Sequence, residues 1–212
     1  KRRTVLDSHN FNKPEISYRP APYWAINDVI DPAECVRQIK DMRSVGLSGA
    51  FFHSRFGLVT DYLGEEWFDA MRATLDAAKQ TGGYLWLYDE DLWPSGSAGG
   101  IVSGAKDEYR SANLLAYLVA AGEPIPKLSD DQELRYCYAI KLRDKLNLID
   151  YELVPLTSID EYKDYERLFL ARTYTEKIPW WNGESYSNLL SPEAMKFFTK
   201  LTHDAYANNF EN

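Results

Sequence analysis

The chain has 212 residues, 45 % apolar and 26 % charged, enough for one well-packed core with room for an inserted subdomain. Its 24 Lys and Arg against 32 Asp and Glu give a net charge of −8, and its basic cluster is Lys1-Arg2-Arg3, so an acidic surface repels phosphate backbones and nucleic acid is excluded as an expected partner. Apolar runs fall short of the ~18–20 residues of a membrane helix, so no membrane partner is expected, and Cys35 and Cys137 lack a metal-type spacing.

A first strand is predicted near Ala21–Ile26, and a helix then opens at Asp31-Pro32-Ala33-Glu34. Asp31 can cap it, Pro32 suits the first helical position, and Glu34 can bond back to the cap. Cys35, Val36, Ile39, Met42 and Val45 recur at helical spacing until Gly46, which places the Cys35 thiol inside as a small hydrophobe. Gly49–His53 is the second strand. Phe68, Met71, Leu75 and Ala78 mark the second helix, which stops at Gly82-Gly83. The third strand, Tyr84–Tyr88, is apolar throughout, as parallel strands covered on both faces are. Trp67 and Trp86 lie within elements and are expected in the core.

From Asp107 to Glu166 the rhythm changes. Leu114–Ala120, Leu134–Lys141 and Leu148–Val154 read as extended, with turn residues between them. The alternation then resumes, with Leu168–Ala171 as a fourth strand and a helix from Ser191-Pro192-Glu193 that turns Met195, Phe198, Leu201 and Ala205 inward. Residues 1–106 are thus read as three βα units, 107–166 as a β-rich insertion, and 167–212 as a fourth unit.

Repeated βα units define an α/β fold. A doubly wound sheet would carry a glycine-rich phosphate turn after its first strand, and this chain has Ala25-Ile26-Asn27-Asp28 there. The expectation is therefore a (β/α)8 TIM-barrel type of which about the first four units are present, with a β-rich insertion after strand three. The remainder of the barrel, or a second copy, would cover the open edges.

Sites in parallel α/β folds gather at the carboxyl ends of the strands. Those ends bring Trp24, Asn27 and Asp28; His53, Ser54 and Arg55; Tyr88, Asp89, Glu90, Asp91 and Trp93; and Arg172, Tyr174, Trp180, Trp181 and Asn182. Three adjacent carboxylates repel one another, so Asp89-Glu90-Asp91 implies a paired, metal-bound or shifted group. On a strand, Asp89 and Asp91 point one way and Glu90 the other. Trp93, Trp180 and Trp181 lie in loops, where a ring can stack on the C–H face of a sugar. His53 could serve as acid/base or hydroxyl ligand, but the only other histidines are His9 and His203, which disfavours a His-rich metal site. Ser95 has no matching base. Gly96, Gly99, Gly100 and Gly104 lack the Gly-Lys-Ser/Thr ending of a phosphate loop and fit a tight loop before a helix.

Three phrases, Pro22–Asp28, Gly49–Arg55 and Tyr88–Gly100, supported by Leu190–Ala194 and Thr202-His203, resemble large bacterial glycoside hydrolases of the family 106 type. That group includes α-L-rhamnosidases and enzymes active on plant and algal polysaccharides. The resemblance implies an inverting glycosidase with two carboxylic acids roughly 6.5–9.5 Å apart, and a calcium ion near the substrate. The carboxylate that the family takes from an Asp-Glu-Pro phrase on a later strand has no counterpart here. Position 92 is Leu where the resemblance leads to a small residue, often Gly.

The expectation is thus the N-terminal part of a rhamnosidase-like barrel hydrolase, inactive alone, acting on a deoxy- or uronic-type sugar. Glu90 is the catalytic candidate, and Trp24, Asn27, His53, Arg55, Asp89, Asp91, Trp93, Trp180, Trp181 and Asn182 are the substrate-binding candidates, with no metal ligands assigned. The periplasm or the exterior is favoured for the full-length protein. The alternatives are a non-catalytic carbohydrate-binding protein and a self-associating half-barrel.

Overall fold

The computed structural model describes residues 11–144 and 147–210, so Lys1-Arg2-Arg3 and His9 lie outside the described residues. Two sheets organise the chain: three parallel strands in the order β1-β2-β3, and four antiparallel strands in the order β4-β7-β5-β6.

The parallel sheet is built by β1 (Tyr23–Asp28), α1 (Pro32–Ser44), β2 (Gly49–Leu58), α2 (Glu65–Gln80) and β3 (Tyr84–Asp91). Asp31 caps α1 by accepting from the Ala33 N–H at 2.9 Å. Glu34 does not turn back to that cap; its carboxylate accepts from Arg37 and Gln38 instead. Gly49 pairs beside Tyr84, where a Cβ would sit 1.7 Å from the Tyr84 carbonyl oxygen, so only glycine admits this strand contact.

Side chains alternate across a strand, and the two faces of this sheet differ. Trp24 and Ile26 of β1 and Ala50 and Phe52 of β2 point into one core with Cys35 and Ile39 of α1 and with Trp67, Phe68 and Met71 of α2. Tyr23, Phe51 and Trp86 lie on the opposite face in register, Tyr23 beside Phe51 and Phe51 beside Trp86, with ring centroids 4.9 and 5.3 Å apart. No described helix covers this second face. Trp86 is therefore part of a half-exposed aromatic stack, not of the expected core, and β3 is not covered on both sides: Tyr84, on the Trp86 face, is 44 % exposed.

After β3 come the short α3 (Ile101–Ala105) and then the second sheet: β4 (Ala112–Val119), β5 (Gln132–Asp144), β6 (Asn147–Val154) and β7 (Glu166–Tyr174). Of the segments expected to be extended, Leu134–Lys141 and Leu148–Val154 fall in β5 and β6, and Leu114–Ala120 falls in β4 up to Val119. Leu168–Ala171, expected as a fourth parallel strand, lies inside β7 and pairs antiparallel with both β4 and β5. An apolar run of that length suits either direction, and Tyr117, Cys137 and Phe169 gain a common core by this pairing.

Of the helices α4 (Pro192–Leu201) and α5 (His203–Phe210), α4 packs Ala194 and Phe198 against Ala98 and Val102, and α5 returns to the parallel sheet. Ser191 caps α4 through the Ala194 N–H. Tyr206 packs edge-on against Phe68 and its hydroxyl accepts from Trp67 Nε1 at 3.3 Å, while Arg72 of α2 donates to Asn209 at 2.8 Å. Helix α5 thus packs on the parallel sheet beside α2, and the strand expected to precede it as a fourth parallel strand lies in the other sheet.

Candidate functional site

The acidic run at the end of β3 does not act as one cluster. Glu90 is 0 % exposed. Its Oε2 accepts from the backbone N–H groups of Gly96, Ser97 and Ala98 at 2.9, 2.7 and 2.8 Å; its Oε1 accepts from Asp91 N at 3.0 Å and from Gly99 N. The backbone N–H groups of the glycine-rich loop form a cradle, and the group they hold is the Glu90 carboxyl of the same chain. Burial pushes the Glu90 carboxyl from 4.5 up to about 7, against the opposing pull of the N–H groups of Gly99, Ser97, Ala98 and Gly96. In this geometry both oxygens of Glu90, the catalytic candidate, are engaged and enclosed, and the carboxyl pins the loop.

The loop needs that pin because its backbone is unusual. Leu92 has φ +76° and Ala98 φ +48°, left-handed values that disfavour residues bearing a Cβ. The φ at Leu92 gives a physical reason for a glycine at this position. Leu92 is nevertheless fully buried, so its burial offsets part of the backbone cost of about 1–3 kcal/mol.

Asp89 and Asp91 go to different places. Asp89 Oδ2 lies 2.9 Å from His203 Nε2, at a groove of about 640 Å3 between β3, α2 and α5 that is otherwise mostly apolar. Asp91 Oδ1 accepts from Ser54 Oγ, and its Oδ2 accepts from Asn182 Nδ2 at 3.0 Å; the same amide donates to the Gly99 carbonyl at 3.0 Å. Asn182, with φ +55°, thereby ties two loops together. The three carboxylates do not fit a common calcium ion: they diverge and already have partners. Among the described residues no group of three or more His, Cys, Asp or Glu converges.

A second grouping forms on the bare face of the parallel sheet. Tyr23, Ala25, His53, Arg55, Tyr88 and Trp93 line a concavity of about 480 Å3. His53 is 4 % exposed and sits against Tyr88, ring centroids 4.1 Å apart. Its Nε2 lies 2.5 Å from the Leu92 carbonyl, which can only accept, so Nε2 carries the proton. Burial, and to a lesser degree the charge of Arg55, holds the His53 pKa below its ordinary value, so the ring stays neutral and Nδ1 is an acceptor. Trp93 is half exposed at the mouth. Trp180 Nε1 donates to the Trp93 carbonyl at 3.1 Å, and the Trp180 ring lies 5.6 Å from the Trp93 ring and 6.4 Å from the parallel ring of Phe56. Arg55 stands 6.0 Å from the Trp180 ring centroid and makes no ion pair among the described residues.

Of the candidates, His53, Arg55 and Trp93 line this concavity and Trp180 sits at its rim. Asp89, Asp91 and Asn182 are committed to the contacts above, outside the lining, and Asn27 is exposed at the end of β1. Trp24 is a core residue that donates from Nε1 to Gln38 at 3.0 Å, and Trp181 is buried against Tyr186, so neither offers a ring face to a ligand. Tyr23 and His203 are not among the strand-end residues read from the sequence, and Tyr88 is among them without being a binding candidate. Strand alternation could have found Tyr23 and Tyr88, which share a face with His53; nothing local ties His203 to Asp89, 114 residues away.

The parallel α/β core with an inserted antiparallel sheet, and an aromatic concavity on the uncovered face of the parallel strands, defines the architecture. The chain matches no family model and no curated protein. A solved rhamnosidase from Novosphingobium sp. PP1Y is similar to it with a TM-score of 0.39 and 17 % identity, over 62 % of this chain. The chain spans 15 % of that enzyme's length.

Proposed function

We propose that this chain forms the opening part of a barrel-type glycoside hydrolase and supplies a sugar-binding wall from the uncovered face of its first three strands. The observation that carries this reading is the asymmetry of the parallel sheet. Helices α1, α2 and α5 all pack on one face, and the other face presents the aromatic concavity. In a doubly wound sheet helices cover both faces, whereas in a barrel they stay outside and the inner face is filled by inward side chains of all the strands. Strands beyond these three would pair with the open edges of β1 and β3 and close over the aromatic stack.

Within that reading, Tyr23, Tyr88 and Trp93 offer ring surfaces to the apolar face of a pyranose. His53 Nδ1 can accept from a hydroxyl, and Arg55 supplies charge. An α-L-rhamnosidase-like, inverting reaction follows from the sequence resemblance, with both catalytic carboxylates drawn from elsewhere than Glu90. Calcium takes no part in the steps assigned to these residues.

A second reading, sugar binding without turnover by this chain, is favoured by one observation: among the described residues no Asp or Glu lines the concavity. The two are separated by assaying the 212-residue chain and the longest natural product of its gene. Binding of L-rhamnose or plant oligosaccharides to the chain, with aryl α-L-rhamnoside hydrolysis in the longer product, supports the first reading. Binding with no hydrolysis in either supports the second. Absence of sugar binding at millimolar concentrations sinks both.

A further inference from the structure

We propose that Arg55 makes the concavity selective for a sugar bearing an anionic group, a carboxylate or a sulfate ester. The inference rests on the concavity being a sugar site and names the class of sugar.

Arg55 is the one formally charged side chain among the concavity's lining residues, since His53 is held neutral. In a chain with a net charge of −8, acidic partners for an arginine are plentiful. Arg37, Arg72, Arg110, Arg135 and Arg172 each reach a carboxylate, Arg19, Arg43 and Arg167 donate to backbone carbonyls, and Arg143 is exposed near the end of β5, away from the concavity. Arg55 reaches no carboxylate among the described residues. Asp91 stands in register with Ser54, the residue before Arg55, yet its oxygens are engaged by Ser54 and Asn182.

A planar guanidinium matches a carboxylate or sulfate through two parallel N–H donors, and a sugar's neutral hydroxyls use that fork poorly. The Trp180 ring beside it restricts the side chain without neutralising it, since an aromatic face holds a cation and leaves its N–H edges free. The rings of Tyr23, Tyr88 and Trp93 would hold the pyranose while Arg55 receives its charged substituent.

The test uses the 212-residue chain and saturation-transfer NMR at low salt, with methyl β-D-glucuronide, methyl β-D-glucoside and glucose 6-sulfate as probes. At least one charged probe should bind about tenfold more tightly than the glucoside, as charge-assisted hydrogen bonds require. Arg55→Gln should bring it to the glucoside's level with an unchanged circular dichroism spectrum, and Arg55→Lys should keep part of the preference. The tighter of the two charged probes tells carboxylate from sulfate. Equal binding of all three, or a preference that survives in Arg55→Gln, overturns the role of Arg55 and leaves the sugar site standing. Acetate displacing the glucuronide at equal concentration also overturns it, because the site would then read charge alone. If no probe binds, the sugar-site reading fails, and this inference fails with it.

Discussion

The two faces of the parallel sheet are made by alternate residues of the same strands, and they have opposite fates. Phe52 is fully buried under the helices with Trp67 edge-on at 5.0 Å, while Phe51 next to it lies in an open stack between Tyr23 and Trp86. Burial under helices secures the fold, and the bare rings are available for contact with a ligand or further strands. A residue's hydrophobicity alone does not distinguish the two uses; its parity along the strand does.

The sharpest test of this contrast is a pair of substitutions. Phe52→Ala should destabilise the chain by about 3–5 kcal/mol, since it empties a packed site. Phe51→Ala should cost only about 1 kcal/mol, the scale of an aromatic pair. Urea denaturation followed by tryptophan fluorescence measures both, and similar losses would erase the distinction between the faces.

Between these in size is Glu90→Gln, which turns an amide NH2 toward backbone donors and should cost about 1–3 kcal/mol. Its pH dependence sharpens the comparison. Because burial raises the folded-state pKa from 4.5 to about 7, the folded protein holds the proton more tightly. The Glu90 contribution to stability is therefore fully present below pH 4.5 and declines as pH rises through about 7. Thermal melts across that window should show a decline that is absent in Glu90→Gln; parallel profiles would count against it.

The smallest effect concerns His53. Its pKa is depressed in the fold, so its contribution is present above the ordinary value of 6.5 and is lost as pH falls through the lower folded value. The His53 ring proton should titrate in NMR with a midpoint below 6.5, and a midpoint above it would contradict the buried, neutral ring.

Much of the parallel core was legible because its signals are local: Asp31 and Pro32 start α1, and the 3.6-residue spacing of Phe68, Met71 and Ala78 reveals the buried side of α2. The direction of Leu168–Ala171 was not, since an apolar run carries no mark of its pairing partner. The acidic run was legible as unusual, but its division was hidden. The donors that capture Glu90 are backbone N–H groups, which every residue but proline has, and their convergence is a property of the loop's path. The Asp89–His203 pair depends on a return of the chain that no spacing encodes.

That return also sets an order of events during synthesis. Trp67 waits for Tyr206, 139 residues later in the chain. At about 5–20 residues per second, a ribosome needs roughly 7–28 s to supply the partner. Through that interval the apolar side of α2 has no α5 against it, while the intervening antiparallel sheet can pair locally. The nascent chain thus presents a timed sticky surface, and chaperone capture would be concentrated on α2 until the last helix emerges.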